Sequence, residues 1–202
     1  MKLERPITYA FIDSQNLNLG IRELGWKIDD ERFRKYLTDK YNVERAYIFI
    51  GFMAENAQLY ARLQKAGFVC IFRPTLTYKD GTTKGNCDAE LVLQAMIDID
   101  EYDKAVLVSG DGDFQCLAKY LHEHDRLGAL LIPNQKKFSA LLKLDFLKPY
   151  HRFVSDLRKK LEFTPKKKSP RKDGTLKGKS SIGDASIVAK KTSKVNKGRR
   201  KS

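Results

Sequence analysis

Cysteine is scarce in this chain and badly spaced for chemistry. Cys70, Cys87 and Cys116 form no C-x-x-C pair, so small buried thiols explain them better than a disulfide framework or a zinc site. His122, His124 and His151 do not complete a zinc set with them, although the His122-x-His124 spacing at a helix end does not by itself make that pair inert. No run of about 18 apolar residues and no secretory apolar segment occurs, which excludes a membrane-spanning helix and leads to the expectation of a soluble, cytoplasmic protein with no membrane partner. No glycine-rich turn follows the first apolar strand and no lysine-bearing P-loop is found, so dinucleotide binding and P-loop nucleotide hydrolysis are set aside. Acid is nearly absent from the C-terminal stretch: residues 164–202 hold 14 Lys or Arg against Asp173 and Asp184, with no aromatic residue.

That stretch cannot bury enough apolar surface to offset its ordering entropy, so a disordered tail is expected. A detached polybasic tail reads as a contact for a polyanion, nucleic acid first; a solvated tail that aids solubility is the plainer alternative. Residues 1–163 carry 25 basic and 23 acidic residues, so nearly all of the net charge of +14 belongs to the tail.

What the chain does have is apolar strands that end in acid. Val106-Leu107-Val108 runs into Ser109-Gly110-Asp111-Gly112-Asp113, and Ile7-Thr8-Tyr9-Ala10-Phe11-Ile12 runs into Asp13, with Asn16 three residues on. Continuous apolar runs of this kind are buried parallel strands, and ligand crevices in open α/β sheets lie at their carboxyl ends. Between them, Lys84-Gly85-Asn86-Cys87-Asp88-Ala89-Glu90 opens a helix whose first turn carries Asp88 and Glu90. Each acid alone has a plain explanation as a helix cap or a macrodipole-favoured side chain. Together they suggest more.

Further strands are expected at 43–52, 68–72 and 127–132, and a small hairpin at 75–83 around Lys79-Asp80-Gly81. Helical patterns fall at 17–25, 29–41, 54–66, 88–101, 113–124 and 134–144, with a last helical stretch at 153–161. Strands and helices alternating at this spacing imply an α/β fold with a mostly parallel sheet covered on both faces and right-handed crossovers.

If the first strand and the Val106 strand are neighbours, Asp13, Asp111 and Asp113 meet at one crevice within reach of the Asp88 helix. Several carboxylates converging without matching bases repel one another, and a cation resolves the repulsion. Oxygen-only ligands point to Mg²⁺ or Mn²⁺. Such a site polarises a phosphoryl oxygen and activates water, with phosphodiester hydrolysis the expected reaction. Asn16 would position water or a phosphate, Ser109 would donate to an acid or the water, and Lys84 would meet a non-bridging phosphate oxygen. A turn serine and a solvated loop lysine explain Ser109 and Lys84 equally well. A haloacid-dehalogenase-like phosphatase needs a second Asp two residues after the first, where this chain has Gln15.

Phe11-Ile12-Asp13-Ser14-Gln15-Asn16, Lys84 to Leu91 and Val108 to Phe114 resemble, in order, the three blocks of NYN domains, the PIN-like nuclease group that includes LabA-type proteins. The resemblance covers roughly residues 5–150. It implies a three-layer α/β/α sandwich with a parallel sheet of about five or six strands and a metal-dependent ribonuclease activity. It also implies metal ligation by Asp13, Asp88, Asp111 and Asp113, with Asn16 as the polar companion. The expected organisation is a nuclease domain over 1–150, a C-terminal helix at 151–163 and the tail from 164. RNA is the expected partner, and homodimer formation stays open. The rival reading is a non-catalytic RNA-binding or regulatory adaptor that keeps the fold and grips through its tail.

Overall fold

Apolar, β-rich runs form the strands: β1 (Thr8–Asp13), β2 (Val43–Phe52), β3 (Val69–Pro74), β6 (Lys104–Val108) and β7 (Leu127–Ile132), with shorter β4 (Leu76–Thr77), β5 (Thr83–Lys84) and β8 (His151–Phe153). The computed structural model describes residues 5–74, 76–77, 83–84 and 87–165, the two short pieces by their backbone alone. Helices α1 (Ser14–Arg22), α2 (Asp30–Tyr41), α3 (Ala57–Lys65), α4 (Asp88–Ile97), α5 (Gln115–Glu123) and α6 (Arg158–Leu161) alternate with them. Local signals set several helix ends. Asp29 accepts the Arg32 N–H at the start of α2, and Asn42 closes that helix in the left-handed region at φ 58°.

The six long-range strands build one all-parallel sheet in the order β3-β2-β1-β6-β7-β8. The chain winds outward from β1 to β3, returns to β6 beside β1, and winds the other way to β8. The reversal falls between β1 and β6, where Phe11 pairs with Leu107 and Ile12 with Val108. β4 and β5 form the expected hairpin, antiparallel, and its turn residues lie outside the described ones.

Alternation along the strands splits the core in two. Tyr9, Phe11, Tyr47 and Leu107 face α4 and α5 through Leu91, Ala95, Leu117 and Leu121. Ala10, Ile12, Ile48 and Val106 face α1, α2, α3 and α6 through Leu17, Ile21, Phe33, Leu63 and Leu161. The result is the three-layer sandwich expected from the strand and helix alternation.

Two segments depart from expectation. The helix anticipated over 134–144 is absent: Asn134 turns the chain by accepting the Lys136 N–H, and a short 3-10 turn at Ala140–Lys143 follows. Its apolar residues reach the core from a loop, Leu142 fully buried, because the segment crosses the end of the sheet to cover it. The stretch read as helical at 153–161 divides into the end of β8, a 3-10 turn at Val154–Leu157 and α6. The cysteines are less buried than expected, Cys70 and Cys87 half-buried and Cys116 exposed. His122 and His124 bond to the Tyr150 hydroxyl and the Tyr120 carbonyl rather than to a shared partner. No helix among the described residues is long and apolar enough to cross a membrane. The polybasic tail lies outside the described residues from 166 onward.

Candidate active site

The reversal of strand order leaves a crevice where β1 and β6 end, and both strands end in acid. Asp13 is the last residue of β1 and the N-cap of α1, its Oδ1 accepting the Asn16 N–H at 3.1 Å. The Ser109 hydroxyl donates to Asp13 Oδ2 at 3.1 Å and in turn accepts the Asp111 N–H at 3.1 Å. Asp111 then caps the following 3-10 turn by accepting the Asp113 N–H at 3.1 Å. Asn16 closes the ring from the other side, its Oδ1 accepting the Gly110 N–H at 2.7 Å. The two strand ends are thus tied together by side chains from both.

Both glycines at this turn lie close under the covering loop, Gly112 the more tightly. A Cβ on Gly112 would lie 2.3 Å from Ser139 Oγ, and one on Gly110 would lie 3.1 Å from the Phe138 Cβ. The loop that replaced the expected helix therefore packs directly on the acidic turn, with the Ser139 N–H donating to the Gly110 carbonyl at 2.9 Å.

Asp88, in the first turn of α4, joins the turn from across the crevice. One carboxylate oxygen each from Asp88, Asp111 and Asp113 lies within 4.8 Å of the other two. Asp13 stands beside this set rather than in it, its oxygens engaged by Asn16 and Ser109. Burial pushes its carboxyl above the usual range; the two hydrogen bonds offset part of that, and Asp88 and Asp111 add to it. Among the described residues, Asp13, Asp111 and Asp113 form no ion pair. Glu90, two residues after Asp88, is drawn away to Arg73 at 3.2 Å.

The donor set fits a hard divalent cation. Oxygen ligands about 2.0–2.1 Å from Mg²⁺ lie roughly 2.9–4.2 Å apart around the ion, so oxygens already within 4.8 Å of one another reach a shared ion by side-chain adjustments of about an ångström or two. Cys87 lines the same cleft, and burial pushes its thiol up to about 11, which keeps it protonated at neutral pH in the metal-free protein.

Ser109 is 2% exposed, its hydroxyl held between the Asp13 carboxylate and the Asp111 N–H. Lys84 is placed in β5, and its side chain lies outside the described residues. The cleft over the acids has a volume of about 730 Å³ and extends past residues that no motif marks, Leu19, Arg22, Met53 and Asn56 among them. Only the packing of α1 against the end of β2 brings these together.

Comparison with known proteins agrees with the geometry. The NYN domain family matches residues 8–146. The chain is similar to the low amplitude and bright protein LabA of Synechococcus elongatus, 29% identical over 122 residues, covering 55% of this chain and 66% of that protein, just under two thirds of its length. It also shares its fold with a protein of unknown function from Vibrio parahaemolyticus, at a TM-score of 0.62 and 20% identity, over 81% of this chain and 100% of the other.

Proposed function

The chain belongs to the NYN domain family, and from that premise we propose that it is a ribonuclease, hydrolysing RNA phosphodiester bonds at its acidic cluster with Mg²⁺ or Mn²⁺. The observation that carries this reading is the convergence of Asp88, Asp111 and Asp113 within 4.8 Å at the carboxyl edge of a parallel sheet. Like charges held that close are costly unless a cation joins them. A divalent ion held there supplies positive charge against the phosphoryl oxygens and makes water nucleophilic at neutral pH.

The remaining residues take supporting parts. Asp13 is a further carboxylate at the rim of the set, and its raised pKa reflects a charge that an incoming cation would stabilise. Ser109 and Asn16 act as positioning residues, holding Asp13 and the Asp111 turn in mutual register. The Asn16 Nδ2 has no partner among the described residues and lines the cleft, which suits it to water or a phosphate oxygen. Lys84 is assigned to a non-bridging phosphate oxygen. Residues 1–150 form the nuclease domain in this reading and 151–163 close it, while the tail from 164 adds salt-sensitive affinity for RNA without sequence selectivity.

The test is to incubate the full chain and its Asp111→Asn variant with end-labelled single-stranded and structured RNA, in Mg²⁺, in Mn²⁺ and in EDTA. Cleavage that needs metal and disappears in the variant is expected. No cleavage under any condition, with RNA still retained, would make the protein a binding adaptor instead.

A further inference from the structure

The cleft over the acids does not end at them. It continues along α1, and a second cavity of about 480 Å³ lies beyond, between α1 and α3. Ser14, Asn18 and Arg22 line both. They recur every four residues, so they lie along one face of α1 as a continuous wall. From Ser14 to Arg22 that wall is about 12 Å long at the helical rise per residue, on the scale of a dinucleotide.

The groove has mixed chemistry. Leu19 on α1 is 51% exposed, and Met53 at the end of β2 is 36% exposed, both lining the cleft. Asn56 lines it beside Met53 with no side-chain hydrogen bond, and Asn18 spends only its amide hydrogens, on the Ser14 carbonyl and hydroxyl. Arg22 is exposed and has no ion pair or hydrogen bond among the described residues, whereas its neighbour Glu23 is paired with Lys137. Lys27, also exposed, lines the farther cavity without an ion-pair partner. A cation at mid-groove, apolar side chains for a base to lie against, and the Asn56 amide with the Asn18 side-chain carbonyl for a base edge make a set that matches a nucleotide.

We propose that this groove is the substrate subsite for unpaired RNA: Arg22 takes the phosphate next to the one being cut, and the neighbouring base lies against Leu19 and Met53. The inference rests on the nuclease reading and adds a substrate class to it. A duplex keeps its bases stacked inside and offers the groove only phosphates, so single-stranded RNA is preferred. The tail cannot supply this preference, since its charges contact phosphates whatever the strand's structure.

Methionine makes the groove separately visible from the tail. The chain has three methionines, Met1, Met53 and Met96, and none in the tail; Met96 packs on the opposite core. The experiment is a methyl-¹³C-methionine NMR titration of the full chain carrying Asp111→Asn, with a 5′-phosphorylated uridine trinucleotide in Mg²⁺. The Met53 methyl signal should shift saturably while Met96 stays in place. Adding Arg22→Ala should weaken that binding about tenfold, the size of one lost charge-assisted phosphate contact, and Arg22→Lys should restore part of it. The salt slope should fall by about 0.7 with the lost phosphate. A Met53 signal that does not move while the chain binds the trinucleotide, or one that moves equally in Arg22→Ala, overturns the proposal, and cleavage by the unsubstituted chain would still stand. A Met53 shift that depends on Arg22, with no cleavage by the unsubstituted chain, supports the groove and overturns the hydrolase reading instead.

Discussion

Gly112 sits between two of the clustered acids, and replacing it with alanine tests whether the covering loop holds the site in shape. The added Cβ would lie 2.3 Å from Ser139 Oγ, 3.0 Å from Ser139 Cβ and 3.1 Å from Leu141 Cδ1, where carbon atoms ordinarily sit about 3.5–4.0 Å apart. Rotating the serine hydroxyl away removes the first clash and leaves the other two. Rotation also breaks the cap in which Ser139 Oγ accepts the Leu141 N–H at 3.3 Å. Overpacking costs about 1–3 kcal/mol and the lost cap about 1 kcal/mol, while the stiffer unfolded chain returns about 0.4–1 kcal/mol. A net loss of about 2 kcal/mol is expected in urea denaturation, roughly 4–8 °C in thermal unfolding for a unit of this size. Cleavage should fall more steeply, up to about 100-fold if the carboxylates move by about an ångström. Ser139→Gly removes the two closest clashing atoms and by itself costs only a few tenths of a kcal/mol as a cap change. Gly112→Ala/Ser139→Gly should therefore recover about 1 kcal/mol or more relative to additivity. Losses that simply add, or a Gly112→Ala protein as stable and active as the unsubstituted chain, would refute the steric account.

At about a hundred times its dissociation constant, Mg²⁺ or Mn²⁺ should stabilise the metal-free protein by about 2.7 kcal/mol, roughly 5–10 °C. Asp88→Asn should lose most of that gain, and equal thermal shifts in both proteins would place the ion elsewhere. Asn16→Ala removes the acceptor of the Gly110 N–H at 2.7 Å and should cost about 1–3 kcal/mol in urea denaturation; an unchanged midpoint would show that the bond does not hold the turn. Tyr47 donates its hydroxyl to Asp98, which is 4% exposed, so Tyr47→Phe should cost about 1–3 kcal/mol. Burial, followed by the Asp98 bond, raises the Tyr47 phenol from 10.0 to about 12. Its contribution is therefore full below pH 10 and is lost as pH rises toward 12; Tyr47→Phe should flatten that part of the stability profile, and an identical slope in both proteins would contradict it.

The acids were legible because they are marked by near neighbours in the chain. An apolar run that stops at Asp13 or before Asp111 identifies a buried strand and its exposed end, and Asp88 at the head of a periodic apolar pattern identifies a helix start. Side-chain periodicity is a local property, and it survives without knowledge of the fold. The same reasoning failed over 134–144, where Phe138, Leu141 and Leu142 keep helical spacing but serve a loop laid across the sheet end, and over β8, whose three residues are too short to show a period. What only the tertiary structure decided is which charges meet. Sheet order placed β1 beside β6, the Ser109 and Asn16 bonds tied those two ends together, and Asp88 rather than Glu90 joined the set. Arg22 and Met53, 31 positions apart in the chain, became lining residues of one groove only when α1 packed beside the end of β2. Convergence of this kind depends on the order and register of distant strands, and the spacing of residues along a chain carries no record of it.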